Sequence, residues 1–523
     1  MSVIAMLPIV QVAETKVTGS SQHQIGFSSL STLVPAGTNH LLVEISGAQT
    51  FAKRRFCEVV VNGDNKARYH RRDFQAAKSK VSTQYSLDQT VGQGVDIVPA
   101  AANQFSGGYI LFPHAFRTDN VKCWQTMGSS LEQRLQRHIC AWSDTSAIDS
   151  IAFRPWQKTP SPNLWAAGTT VTLYAVDERR LVEEKVLTAD GKFTFTTFPA
   201  GESHLIYLMH CRANYVNAAY TGERTYQAIN DDEGRGNYSV QRFGGERIPR
   251  NVVLNEKFTE QRIGWSSAID SPAGTFGCLV ALYPEIRNRS FFQPWISQHG
   301  TFDRTTFIPV SQENGCWRGT SDLTKIHFRA KRKSAGYSAG SRIAAYCPSG
   351  LASRQVVGPG GAASVTLDVP SGARALRCLI VARTDFADVE DRLLISLNGD
   401  GTASNYVGVS ASACDRSHEA STSANEVGVL PGATAPENVF GCGVIAIPQH
   451  AATDRHKHMI SAIGASGGRL ALYGARWKNT AAITSLTFRP RNGARFAEGS
   501  VFELSFAGVL PEAGSTATAR RSG

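Results

Sequence analysis

The sequence predicts an all-β protein of three tandem β-sandwich, jelly-roll-like domains, each of about 155 to 170 residues, preceded by an extended N-terminal arm. Three observations carry that expectation. The segment from Trp477 to Phe506 recurs from Trp142 and from Trp317. Apolar residues keep the same offsets after each Trp: Ile148, Ile151 and Phe153; Leu323, Ile326 and Phe328; Ile483, Leu486 and Phe488. Agreement of this kind inside one chain is an internal repeat. Next, Asn62-Gly63-Asp64 returns as Asn398-Gly399-Asp400 and, altered, as Asn230-Asp231-Asp232. Asn-Gly between β-rich runs signals a hairpin, because both central residues must take positive φ. Finally, Val34-Pro35-Ala36-Gly37, Phe198-Pro199-Ala200-Gly201 and Val369-Pro370-Ser371-Gly372 each place Pro where φ is preset and Gly where the chain reverses.

In chain order these signals divide the sequence into an arm (1–19), repeats at 20–178, 186–348 and 360–510, and a tail (511–523) without apolar pattern. The stretches 177–187, charged at Asp177, Glu178, Arg179 and Arg180, and 348–363, rich in Pro and Gly, read as linkers. The arm's Val3, Ile4, Leu7, Ile9 and Val10 cannot all hide in one short segment. They predict a strand that pairs with its own first domain or is exchanged with a neighbouring subunit as an oligomer contact. After each Asn-Gly-Asp-type turn comes a Tyr, at 69, 238 and 406. Phe105, Phe276 and Phe440 then open strands that stop at Pro113, Pro284 and Pro448, since Pro lacks the amide for the next ladder position. Before Trp142, the spacing of Leu131, Leu135 and Ile139 suggests a helix, but the aligned Arg469-Leu470-Ala471-Leu472-Tyr473 alternates, so strand is expected in all copies. Trp142, Phe153, Trp317, Phe328, Trp477 and Phe488 are assigned to the repeat cores.

Composition limits the function classes. The chain has 523 residues, 42% hydrophobic and 19% charged, which is ordinary globular material with many turns. No apolar run is long enough for a membrane-spanning helix, and the first residues lack the basic start and cleavage site of a secretory signal, so synthesis in a reducing cytoplasm is expected. Ten scattered Cys without metal spacing read as buried thiols. A net charge of +11 favours anionic partners. Lys53, Arg54, Arg55, Arg68, Arg71 and Arg72 are the candidates for contact with a polyanion or an acidic partner, with a solvated loop rim as the plainer reading. No specific nucleic acid is expected.

No enzyme is expected from the motifs of the chain. Phosphate loop, dinucleotide fingerprint and His-Glu-x-x-His are missing from the sequence. Gly464-Ala465-Ser466-Gly467-Gly468 has the letters of a nucleophile elbow but is followed by a strand-like run instead of a helix. The Asp residues of the turns supply too few oxygens for calcium. His450, Asp454, His456 and His458 form a His-rich loop without counterpart in the other repeats. Catalytic residues, metal and cofactor are therefore all expected to be none. Trp156, Trp165 and Trp295, outside the shared pattern, are candidates for glycan contact.

The combination of Leu397-Asn398-Gly399-Asp400, Asn405-Tyr406, Phe440-Gly441, Ile447-Pro448, Trp477, Thr480 to Leu486 and Phe496-Ala497-Glu498-Gly499-Ser500 resembles a β-sandwich repeat of structural proteins of tailed bacteriophages. Repeat 3 matches over nearly its whole length, the others at the turns, Trp and Phe-Arg positions. The resemblance implies a non-enzymatic virion component, tail-associated (sheath, collar or fibre-like) and present in multiple copies. Its partners would be itself and other virion proteins of tail, portal or capsid. A carbohydrate-binding adhesin that holds a host surface glycan and a capsid decoration protein are the alternatives.

Overall fold

The computed structural model describes residues 3–19, 22–51, 55–77, 80–130, 134–156, 163–215, 222–246, 252–258, 261–301, 310–331, 336–348, 351–373, 375–414, 417–465 and 469–509. They form an all-β molecule of three repeated sandwiches. In repeat 1 the large sheet runs in the order Ile9–Lys16, Thr170–Val176, Leu41–Gln49, Ser106–Phe112, Lys122–Ser130, Arg134–Trp142, Tyr69–Ala77, Lys80–Gln89. The small sheet runs Ile25–Phe27, Ile151–Pro155, Arg55–Val61, Gly92–Pro99. Repeats 2 and 3 each have an 8-stranded and a 4-stranded sheet of the same order. In repeat 1 a short parallel pairing, Ala48 with Val98 and Gln49 with Pro99, stitches the two layers together.

The expected linkers and arm are strands. Leu181–Val186 pairs with Arg342–Tyr346, and Leu351–Val356 pairs with Val501–Ser505. Ile9–Lys16 is the equivalent edge strand of repeat 1 and pairs with Thr170–Val176. Their charged residues lie on partly solvated edges, where charge discourages further strand addition. That is why these strands read as linkers in the sequence.

Each large sheet is covered on both faces. In Lys122–Ser130, Trp124 belongs to the core beneath the small sheet of repeat 1, whereas Cys123 and Met127 join a central core shared by all three repeats. Cys140 and Trp142 divide in the same way from Leu135, Ile139 and Ala141. Repeat 2 contributes Leu208, Val280 and Ile296 to the central core, and repeat 3 contributes Leu379, Val444 and Ile460. The three sandwiches therefore stand back to back around one axis.

The ring closes by equivalent bonds. Val121 N donates to Gly274 O (2.9 Å), Phe292 N to Asn438 O (2.9 Å) and His456 N to Asn103 O (3.0 Å), linking repeat 1 to 2, 2 to 3 and 3 to 1. The acceptors Asn103, Gly274 and Asn438 have φ of 59, 74 and 60°, the left-handed region that Asn and Gly tolerate best. This is head-to-tail contact that closes, as in a cyclic trimer, but within a single chain.

The N-terminal segment occupies the ring's interior. Val3–Met6 is a 3-10 turn against Gly277–Tyr283 and Gln293–Gly300 of repeat 2 and Gly441–Ile447 of repeat 3. Val3, Ile4, Leu7 and Ile9 are wholly buried and Val10 is 2% exposed. Arg377 Nη1 holds the segment by donating to Leu7 O (2.9 Å). Of the two pairings expected of the arm, the one with its own first domain is found for Ile9–Lys16, while the segment 3–7 ahead of it is a plug in the interior of the same chain. At the other terminus Gly508–Val509 adds to Val10 and Gln11 in parallel.

Candidate functional site

The repeated residues first build a structural clasp. Asn62, Asn230 and Asn398 each have φ of 51°, as the hairpin requires. The Oδ1 of each accepts from two successive amides: Asp149 and Ser150, Thr324 and Lys325, Thr484 and Ser485. Each turn Asp then accepts from the indole of the repeat Trp: Trp142 to Asp64 (2.8 Å), Trp317 to Asp232 (2.7 Å) and Trp477 to Asp400 (2.7 Å). Tyr69, Tyr238 and Tyr406 donate to the backbone carbonyls of the same Asp residues. These Asp, Tyr and Trp side chains are used up by the fold. Trp142, Phe153, Trp317, Phe328, Trp477 and Phe488 are all buried.

What varies lies in the clefts between repeats. The residue after each strand-ending Pro, His114, Glu285 or Gln449, has φ of 49, 54 or 51° although none is Gly. Such backbone persists only where its surroundings over-determine it, and it gathers at functional positions. The three clefts share this scaffold but differ in chemistry.

Between repeats 1 and 2 the chemistry is imidazole. The rings of His40 and His114 are 4.5 Å apart, and those of His114 and His210 are 4.9 Å apart. His210 stacks on Phe276. Burial, and then Arg342, push the pKa of His40 and His210 down to about 3; burial holds His114 far below its ordinary value as well. The three rings are therefore neutral and apolar in effect. Arg342 pairs with Asp119 at the rim (2.9 Å).

Between repeats 2 and 3 a buried ion cluster takes its place. Arg354 reaches Glu285 (2.6 and 2.9 Å) and Glu503 (2.8 Å), and His204 Nε2 meets Glu503 (2.9 Å). His204 Nδ1 accepts from Glu285 N (3.1 Å), which leaves Nε2 as the donor. His204, Glu285 and Glu503 are, among the described residues, the grouping with metal-ligand geometry. The Arg354 guanidinium already supplies the cation there, so the residues do not fit a metal.

Between repeats 3 and 1 the cleft opens into a cavity of about 320 Å³ lined by Gln11, Glu14, Glu44, Tyr174, Gln449 and His450 and by small residues that include Ala373, Ala375 and Ala451. Gln449 Nε2 donates to Glu44 Oε1 (3.1 Å).

The residues singled out in the sequence are dispersed. Lys53 and Arg54 lie outside the described residues. Arg55 covers the Trp156 ring (4.5 Å), Arg68 pairs with Asp144 (2.6 Å), Arg71 lies over Phe56, and Arg72 is 2% exposed in the interior. Among the described residues of this set no basic face forms, since Arg71 and Arg72 lie on Tyr69–Ala77, whose alternate residues point into two cores. Trp165 and Trp295 are wholly buried, and Trp165 Nε1 donates to Phe153 O, so neither can stack on a sugar. Nor is the His-rich loop one site: His458 is buried, while Asp454 pairs with Lys16 and Arg455. Ser466 and the tail from residue 510 lie outside the described residues. Among the described residues, nine of the ten Cys are buried free thiols. Apart from His450, the cleft residues were missed, although the aligned Pro113, Pro284 and Pro448 stand directly before three of them. Alignment showed where the repeats agree, whereas the clefts are built where they differ.

No protein-family model and no curated protein matches the chain. Among solved structures, the LG1-3 region of the laminin alpha2 chain aligns over 93% of this chain and 96% of its own, at 9% identity and a TM-score of 0.15. Domains LG4-5 of the mouse laminin alpha1 chain align over 62% and 93%, at 10% identity and 0.14. A Rhodopseudomonas blastica porin mutant aligns over 81% and 99%, at 8% identity and 0.10. Overlaps at these scores carry no argument about fold or function. No helix among the described residues is long and apolar enough to cross a membrane.

Proposed function

We propose that this chain is a non-enzymatic structural component of a tailed-bacteriophage virion, associated with the tail and present in several copies. The observation that supports this reading is the closed ring of three like sandwiches. Each is locked by its Asn-Asp-Tyr-Trp clasp, and each large sheet is buried on both faces. Such a body is stiff and spends its recurrent polar residues on its own folding, which suits a part that bears load in a larger assembly. The fused ring offers partners a nearly threefold outline with three different clefts, so it can dock in one orientation where a true trimer would have three equivalent ones. The adhesin reading loses two of its three sugar platforms with the burial of Trp165 and Trp295.

Antibody against the purified chain, applied to intact particles and imaged by electron microscopy, tests the proposal. Label confined to the tail or its junction with the capsid is expected. Label spread over the capsid surface would favour a decoration protein. Absence of label together with glycan-array binding would overturn the structural role.

A further inference from the structure

The three junctions of the ring differ in what a proton meets there. Between repeats 1 and 2 the rings of Tyr346, His40, His114, His210 and Phe276 form one column, with centroids 6.1, 4.5, 4.9 and 4.8 Å apart in that order. His40 and His114 come from repeat 1 and the other three rings from repeat 2. His40 Nδ1 accepts from His114 N (3.0 Å), so this nitrogen carries a lone pair while the junction is closed. Both ring nitrogens of His114, and Nε2 of His40 and of His210, have no hydrogen-bond partner, and all three side chains are buried. An imidazolium needs two acceptors, and among the described residues the column offers none. The charged groups around it give no relief. Arg342, Arg117 and Lys122 are cations that these rings sense. Asp119 is already held by Arg117 (2.8 Å) and Arg342 (2.9 Å), Glu178 accepts from Asn39 N and Tyr346 Oη, and Glu184 is exposed.

The other face of repeat 1 meets repeat 3 in a similar way. His458 is buried beside Gly107 of repeat 1, and its Nε2 has no partner. His450 is buried too and lines the cavity with Glu14 and Glu44. Arg455, Lys457 and Arg476 surround the two rings with positive charge, and Asp454 is held by Lys16 and Arg455. Glu14 is exposed and accepts from Thr172. Burial raises the Glu44 pKa to about 7, so it takes up its own proton before the imidazoles do and adds no counter-charge. Between repeats 2 and 3 the balance is reversed. His204 Nε2 donates to Glu503 (2.9 Å) and Arg354 bridges Glu503 and Glu285, so positive charge there faces two carboxylates.

We propose that mild acid releases repeat 1 from repeats 2 and 3, which stay joined to each other. The closed ring refuses a proton at His40, His114, His210, His450 and His458, and the open form, where water reaches these rings, accepts it. Closure is therefore favoured above the ordinary imidazole value near 6.5 and weakens as pH falls below it. Each ring that takes up a proton only on opening shifts the equilibrium toward the open form by about tenfold per pH unit. Separation uncovers the central core, the segment 3–7 included.

Hydrogen exchange of the full chain, read by mass spectrometry and corrected for the intrinsic effect of pH, tests this. The amides of Val121, Phe292 and His456 donate the bonds that join repeat 1 to 2, 2 to 3 and 3 to 1. Between pH 7 and pH 5, protection of the peptides that hold Val121 and His456 is expected to fall by roughly a hundredfold or more. Phe292 should stay protected and the far-ultraviolet circular dichroism unchanged. His114→Phe combined with His210→Phe keeps aromatic rings in the column and should hold Val121 protected to about one pH unit lower. His327→Gln, whose imidazole pairs with the exposed Asp231 away from the junctions, should leave the profile as it is. Any other pattern at the three amides, above all loss of protection at all of them together, would overturn the proposal. So would a double variant that folds and opens at the wild-type pH. If the double variant does not fold, the three amides of the unaltered chain decide.

Discussion

At the residue scale, the same few side chains do the same work three times, and changing one member shows what each repeat depends on. Asp400→Ala leaves the buried Trp477 indole N–H without its acceptor, at a cost of about 1 to 3 kcal/mol. Asp400→Asn keeps an acceptor oxygen and should lose less; urea unfolding of the two variants measures the difference. The clefts predict acid sensitivity. His40, His114 and His210 are buried neutral, with pKa values depressed from an unfolded value near 6.5. Their stabilisation is fully present above that value and is lost as pH falls below it, because the unfolded chain binds protons that the folded one refuses. Glu44 acts in the opposite sense. Its pKa is raised to about 7, so its contribution is present below the ordinary carboxylate value and lost as pH rises toward 7. Three histidines outweigh one carboxylate. Thermal unfolding followed between pH 7 and 4.5 should show falling stability, steeper in Glu44→Gln and shallower in His114→Gln.

At the element scale, the N-terminal turn is the least expected part of the molecule. Its apolar run was plain in the sequence, but a run alone cannot say whether its cover belongs to the same chain or to another. The cover is the axis formed by all three repeats. Leu7→Ala should cost about 2 to 5 kcal/mol, and removal of residues 3–7 should loosen the whole ring instead of merely blocking assembly. Dye binding and gel filtration of the truncated chain would reveal the exposed axis. The strands themselves were legible where one face is apolar and the other polar, as in Ile151–Pro155, whose burial alternates. They were less legible in Leu41–Gln49, where every residue is buried and the alternation is between two cores. The first strands of repeats 2 and 3 were read as linkers, because at a sheet edge the charge needed to block strand addition looks like the charge of a solvated loop.

At the scale of the whole molecule, the repeats were visible in the sequence and their closure was not. The bonds that close the ring run from backbone N–H to backbone carbonyl, at Val121, Phe292 and His456, and leave almost no mark on residue choice beyond Asn or Gly at the acceptor. The candidate sites were hidden for a related reason. Glu44 and Glu14 are 30 positions apart and meet Gln449 only when repeat 3 comes round to repeat 1. That a single chain completes this circuit is the claim on which the plug, the clefts and the proposed role all depend. It can be tested at the last junction. A Cβ placed on Gly107 of repeat 1 would lie 3.5 Å from the Cβ of His458 in repeat 3, within disulfide range. Gly107→Cys combined with His458→Cys, oxidised at low protein concentration and run on a denaturing gel without reductant, should give a cross-linked monomer of raised mobility. Linked dimers and higher species, or failure to cross-link while the thiols remain reactive, would contradict a ring closed within one chain.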